Sequence, residues 1–199
     1  MSTTATNIDD IRRLREETGA GIMEARKALV DAGGDFAKAK VLLEQRGAAG
    51  AAKRAGRVAA QGVIEPYIHT GGQIGVLVEL DSETDFVARM PEFRELAREL
   101  AMQVAATNPK YVSLDEIPAD EAERMKAVYR EEAVKAGREK FADKIAEGQF
   151  EKYAKEHALL EQEYIRDSSK TVKQLVQDLA AKTRENILVR RFVRFQVGA

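Results

Sequence analysis

Near residue 60 the apolar side chains change their repeat, and a chain with that change has to combine helices and strands. Upstream, apolar residues recur at helical spacing and each run ends at glycine. Ile8, Ile11 and Leu14 precede Gly19; Ile22, Ala25 and Leu29 precede Gly33-Gly34; Phe36, Val41, Leu42 and Leu43 precede Gly47. Asn7 and Asp35 stand where the first and third helices need a side-chain cap. Three short helices therefore predict a compact bundle over residues 1–52. The small, basic AAGAAKRAGR (48–57) reads as a linker or a helical tether, with the linker drawn at 53–60.

Downstream the repeat is two. Val63 to His69 is a strand whose Pro66 confines it to an edge or a bulge. Thr70-Gly71-Gly72-Gln73 turns the chain, and Ile74, Val76, Val78 and Leu80 alternate with Gly75, Leu77 and Glu79. Pro91 opens a long helix with Phe93, Leu96, Leu100, Met102, Val104 and Ala105 on its apolar side. Residues 119–147 are helical, densely charged and sparsely apolar, as in an exposed helical hairpin, and the arm is drawn at about 115–165. Thr171 to Thr183 is another amphipathic helix. NILVRRFVRFQV (186–197) is a closing strand with Val189, Val193, Phe195 and Val197 on one side. One hairpin plus a distant C-terminal strand predicts a small three-stranded antiparallel sheet with helices packed on it. The fold class is α+β, with the core at 61–199.

Composition narrows the chemistry. None of the 199 residues is cysteine, which excludes disulfides, thiolate zinc sites, iron–sulfur clusters and cysteine nucleophiles. The two histidines, His69 and His157, lie 88 positions apart and stand in no triad motif, so neither a metal site nor a cofactor nor enzyme chemistry is expected. MSTTATNIDD lacks the basic start and apolar run of a secretory leader. No stretch reaches the length of a membrane span. The expectation is a cytoplasmic protein with no membrane partner. Lys and Arg number 32 against 33 Asp and Glu, yet the charge is uneven. Residues 1–57 carry 11 basic and 8 acidic side chains, 115–163 carry 9 and 14, and 170–199 carry 7 and 2. Such asymmetry either steers a partner or solvates separate faces.

DSETDFVAR (81–89) is the most unusual stretch. Asp81, Glu83 and Asp85 alternate, but Phe86 occupies the sixth place of a calcium-loop count, where glycine is required, so an EF-hand is excluded. Two readings fit. Either Asp85-Phe86 is an exposed tip that presents an aromatic ring beside a carboxylate, or Phe86 packs beneath the next helix and Asp85 caps it. Met23 lies off the Ile22/Ala25/Leu29 stripe beside Arg26-Lys27, as a protein contact or as extra core. Gly71-Gly72 joins two strands and lacks the phosphate-loop pattern, so it is a turn. KRAGR (53–57) is basic, and RRFVRF (190–195) interleaves arginines with aromatics as an RNA-binding strand does. Because Arg191 shares a parity with core-like residues, the strand reads as mainly structural and no direct nucleic-acid contact is expected.

Read together, LREETGAGIMEARKAL (14–29), AGRVAAQGVIEPYIH (55–69), GVLVELDSETDFVAR (75–89), DKIAEGQFEKYAKEHALLEQEYIRDSSKTVKQLV (143–176) and the closing RRFVRFQVG resemble the elongation factor Ts family nearly end to end. The resemblance implies a three-helix, ubiquitin-associated-like module joined to an α+β core. It implies guanine-nucleotide exchange on elongation factor Tu, with the module lying on that partner's nucleotide-binding domain. Thr84, Asp85, Phe86 and Val87 then carry nucleotide release, Asp85 and Phe86 intruding near the partner's magnesium site. Ile22, Met23 and Arg26 contact a helix of the same domain, and His69 resembles a family contact histidine more loosely. Short relatives assemble as pairs, so a homodimer is implied. Two departures stand out. Longer members carry a duplicated core subdomain, whereas this chain has one. The family's EHCLL-like stretch reads EHALL (156–160), so no covalent link or thiol role exists at Ala158. The alternatives are a helical interaction module of another kind and an RNA-binding protein.

Overall fold

A computed structural model describes residues 7–54 and 56–199; the opening six residues, read above for a leader, and Ala55 of the linker lie outside the described residues. The first three helices are α1 (Ile8–Thr18), α2 (Ile22–Asp31) and α3 (Phe36–Arg54). There follow β1 (Gln61–Ile68), β2 (Ile74–Ser82), the four-residue helix α4 (Asp85–Ala88) and α5 (Pro91–Thr107). The chain continues through α6 (Ala119–Lys135), α7 (Ala142–His157), β3 (Glu163–Tyr164), β4 (Asp167–Thr171), α8 (Val172–Thr183) and β5 (Leu188–Gln196). It divides into two compact units. One gathers the chain through Gly62 with residues 81–93 and 176–188, and the other holds 63–80, 94–175 and 189–199.

In the first unit, the sequence signals place the helix ends. Asn7 Oδ1 accepts from the Asp9 N–H at 3.1 Å, and Gly19 closes α1 in the left-handed region at φ +67°. Asp35 Oδ1 accepts from the Lys38 N–H at 3.1 Å, and this bond holds the Asp35 carboxyl below its usual range. Leu14, Ala25, Ala28, Leu29 and Ala39 are the buried centre of the module, with Ile11 and Leu43 at its rim. Two expectations need correcting. Ile8 and Ile22 were assigned to the apolar faces, yet both are exposed. The third helix does not stop at Gly47 but runs to Arg54. A helical glycine costs about 1 kcal/mol against alanine, and the alanines that follow outweigh one such cost. A Cβ built on Gly47 would touch Ala181 at 3.5 Å, an ordinary contact.

The strands form an antiparallel sheet of order β1-β2-β5. The His69 N–H donates to the Ile74 carbonyl at 2.9 Å to close the hairpin, with Gly71 and Gly72 at φ +90° and +71°. Pro66 sits on the edge strand, where a missing N–H is tolerated. Val76, Val78 and Leu80 are buried on one face. Arg194, pointing to that side from β5, donates Nε to the Ala105 carbonyl at 3.2 Å and so places α5 behind it. The opposite face is open. Arg191 and Glu79 pair there at 2.6 Å, and Ile64, Ile68, Leu77, Val193 and Phe195 are exposed around them. The expected apolar side of the last strand is therefore corrected: Val189 is buried, but Val193, Phe195 and Val197 are not. Alternation identifies a face without saying whether anything covers it.

Helices α6 and α7 pack on each other as the expected charged arm, with Lys126 and Glu147 paired at 3.2 Å. Its base is a shared carboxylate. The hydroxyls of Tyr111 and Tyr153 donate to the two oxygens of Glu121, each at 2.6 Å. Those bonds lower the Glu121 pKa. Tyr111 is pushed up to about 12, chiefly by its bond to Glu121, and Tyr153 to about 12, chiefly by burial and then by the same carboxylate.

Candidate functional site

Phe86 is 76% exposed, which decides between the two readings of DSETDFVAR: the ring is a tip, not a core residue. The cap of α4 is Thr84 rather than Asp85. Its Oγ1 accepts from the Val87 N–H at 3.4 Å, and its extended backbone (φ −124°, ψ 153°) turns the chain from strand into helix. Asp85 is then the first helical residue, exposed, and paired with Arg89 at 2.9 Å across one turn. Val87 and Ala88 point inward, with Val87 only 4% exposed. Of the four expected tip residues, Thr84 shapes the turn, Asp85 and Phe86 face outward, and Val87 anchors it from below.

The same unit contains the second expected patch. Met23 is 69% exposed and Ile22 57%, while Arg26 lies exposed one turn further along α2. Among the described residues no ion pair to Arg26 occurs. Val30, also exposed, continues this stripe one further turn from Arg26, a residue the sequence reading missed although its spacing of seven from Met23 puts it on the same side. Ile22 and Met23 line an open groove of about 550 Å³ together with Arg15, Gly21, Glu24 and Arg184. Arg184 meets the Glu24 carboxylate at 3.2 Å.

His69 belongs to the other unit, at the end of β1, with Nδ1 3.0 Å from the Tyr67 hydroxyl. The structure therefore brings Ile22, Met23 and Arg26 into one unit with Thr84–Val87 but leaves His69 outside that unit. On β5, Arg191 is engaged by Glu79 and Arg194 by the Ala105 carbonyl, so the strand read as basic spends these two arginines on its own fold. Among the described residues, no group of three or more His, Cys, Asp or Glu side chains could hold a metal ion, and no helix is long and apolar enough to cross a membrane.

The tip is braced by Glu83, which the sequence offers only as one of three alternating carboxylates, and by Glu185 and Asn186, which it does not mark as site residues. The Glu185 carboxylate accepts from the backbone N–H groups of Glu83 and Thr84, both at 3.1 Å, and from the Thr84 hydroxyl at 2.6 Å. No sequence motif announces a partner a hundred positions away.

The sequence model of the family described as Elongation factor TS matches residues 38–199. The elongation factor Ts of Desulforamulus reducens is 51% identical over 189 residues, which cover 94% of this chain and 87% of that protein. That of Caldanaerobacter subterraneus subsp. tengcongensis is also 51% identical, with 94% of each chain covered. The more distant elongation factor Ts of Coprothermobacter proteolyticus retains 48% identity over 94% of this chain and 96% of its own. Agreement at half of all positions along nearly the full length leaves one conclusion: the chain belongs to the elongation factor Ts family of translation elongation factors.

Proposed function

We propose that the chain is a guanine-nucleotide exchange factor that binds elongation factor Tu with GDP, disturbs its magnesium and phosphate site, and lets GDP leave so that GTP can enter. The observation that carries this reading is an aromatic side chain, Phe86, held 76% exposed on a braced turn beside an outward carboxylate. A large apolar ring in that position gains on burial against a partner. Ile22, Met23 and Arg26 supply an apolar and cationic strip in the same unit, suited to a helix of the same partner. His69 is assigned a peripheral contact.

The mechanism is linkage. A factor that weakens nucleotide binding must itself be weakened by nucleotide in the same ratio. An inserted ring shifts a helix, and Asp85 competes at the magnesium shell. Nucleotide held by a cation and by backbone amides at a helix N-terminus depends on close geometry, so a small displacement suffices. The protein makes and breaks no bond, needs no cofactor of its own, and works in the cytoplasm beside its partner. Release of labelled GDP from purified elongation factor Tu tests the reading: acceleration by this protein supports it, and an unchanged rate contradicts it.

We further propose a non-covalent homodimer. Its support is the open sheet face, where Ile64, Ile68, Leu77, Val193 and Phe195 are exposed together around the Arg191–Glu79 pair. A self-complementary face of this kind satisfies a two-fold interface with one patch.

A further inference from the structure

The Asp85-Phe86 tip cannot hold its own shape. Helix α4 has four residues, too few for a turn that stands alone in water. Val87 anchors it from below, the Ser82 hydroxyl donates to the Thr84 carbonyl at 2.9 Å, and the rest of its support comes from residues 184–186. Glu185 Oε2 accepts from the N–H groups of Glu83 and Thr84 at 3.1 Å each, and Oε1 accepts from the Thr84 hydroxyl at 2.6 Å. The exchange is reciprocal, for Glu83 Oε1 accepts from the Asn186 N–H at 2.6 Å and lies 3.5 Å from the Arg57 guanidinium. Asn186 is buried and donates Nδ2 to the Arg57 carbonyl at 2.8 Å. Two carboxylates, each capping the other segment's backbone, thus clasp residues 83–84 to 185–186.

The clasp reaches the tip through one hydroxyl. With its hydrogen committed to Glu185, Thr84 Oγ1 turns lone pairs toward α4 and accepts from the Val87 N–H. The preceding residue adds a second constraint. Arg184 adopts φ +62°, a region costly for a residue with a side chain, and its guanidinium is held by Glu24, the neighbour of Met23. Three consecutive residues therefore reach α2 on one side and the tip on the other.

We propose that Glu185 is a positioning residue for nucleotide release: its carboxylate sets the Thr84 cap, so that Phe86 is presented in the orientation it needs before the partner arrives. The proposal rests on the exchange reading above. Without Glu185 the turn samples other conformations, and only the competent fraction inserts the ring. The α2 strip, which binds without the tip, is unaffected.

Full-length Glu185→Ala and Glu185→Gln separate this role from a general structural one. In the free proteins, amide hydrogen exchange at Glu83, Thr84 and Val87 should quicken more than about tenfold in Glu185→Ala while amides of α1 and α3 keep their rates. Glu185→Gln keeps an acceptor for the two N–H groups but presents an amide nitrogen to the Thr84 hydroxyl, so it should restore only part of that protection. With elongation factor Tu and labelled GDP, Glu185→Ala should lower the maximal release rate by about tenfold or more, since it removes three hydrogen bonds to a charged acceptor. The factor concentration giving half the effect should stay within about twofold, because α2 still binds. Glu185→Gln should fall between the wild type and Glu185→Ala in maximal rate. Unchanged amide exchange at the three positions, an unchanged maximal rate, or a loss confined to affinity overturns the proposal. Faster exchange throughout α1 and α3 also overturns it, since Glu185 would then support the whole unit. If Glu185→Ala does not fold, a Glu185→Gln protein with faster exchange only at those amides and a lowered maximal rate supports the proposal, and one with wild-type values in both overturns it. Failure of the wild-type protein to release GDP overturns the exchange reading instead, which the variants alone cannot do.

Discussion

Arg89 Nη2 lies 2.9 Å from Asp85 Oδ2, one helical turn apart, and both side chains are exposed beside Phe86. An exposed pair of this kind contributes less than about 1 kcal/mol and exchanges readily with solvent or a new partner. Arg89 therefore parks the Asp85 carboxylate without locking it. Arg89→Ala should shift the thermal unfolding of the free protein only slightly. Asp85→Ala should slow GDP release, and more strongly with magnesium present than without it. A magnesium-independent defect would detach Asp85 from the partner's cation site.

The open sheet face gives the second expectation. Light scattering should return twice the 22.0 kDa of one chain at micromolar concentration. Phe195, 67% exposed in the single chain, sits on that face, so Phe195→Glu should return monomers that remain folded. Monomeric wild-type protein would remove the dimer from the account.

A third expectation concerns separability. The three-helix module has its own buried centre, so a chain of residues 53–199 should still unfold in one cooperative transition, and its affinity for elongation factor Tu should fall with the loss of Ile22, Met23 and Arg26. Aggregation of the shorter chain would show that the boundary at residue 52 is misplaced. The bond from Arg54 to the Ala180 carbonyl is the feature that would make it so.

The base of the arm responds to pH in a stated direction. Glu121 has a lowered pKa in the folded state, so its contribution is present above the ordinary carboxylate pKa and is lost as pH falls through the folded value. Tyr111, Tyr153 and Tyr164 are raised to about 12, Tyr164 mainly by burial and then by its bond to Glu99. Their contribution is full below the unfolded tyrosine pKa of about 10 and disappears as pH rises toward the folded value. Ultraviolet titration should leave Tyr111, Tyr153 and Tyr164 protonated at about pH 11 while the chain stays folded. Ionisation of Tyr111 and Tyr153 near pH 10 would contradict the carboxylate-bridged base.

Much of this architecture is legible in the residues themselves. Asn7, Gly19 and Asp35 mark helix ends by chemistry that acts within three or four positions, and Pro66 declares an edge strand because it lacks a donor. The β3–β4 ribbon escaped notice because DSSKT alternates nothing apolar. Gly47 reads as a stop because a helical glycine has a cost, but that cost is small, and of the two readings of AAGAAKRAGR the helical tether is the one that α3 follows as far as Arg54. Phe86 carried two readings until its exposure was seen, since an aromatic after a strand is equally suited to a core and to a tip. Glu185 left no local trace, because its partners lie about a hundred positions earlier in the chain. Such long-range polar bracing depends on the fold being in place first.

The most direct measurement is GDP release from elongation factor Tu driven by Phe86→Ala at saturating concentration, made beside thermal unfolding of the free variant. The account predicts an almost unchanged melting temperature, because no buried ring is removed, and a severe loss of maximal release with much of the binding retained. A buried phenylalanine would instead cost about 3–5 kcal/mol on truncation. A large drop in melting temperature, or full exchange activity without the ring, would contradict the claim that Phe86 is the wedge.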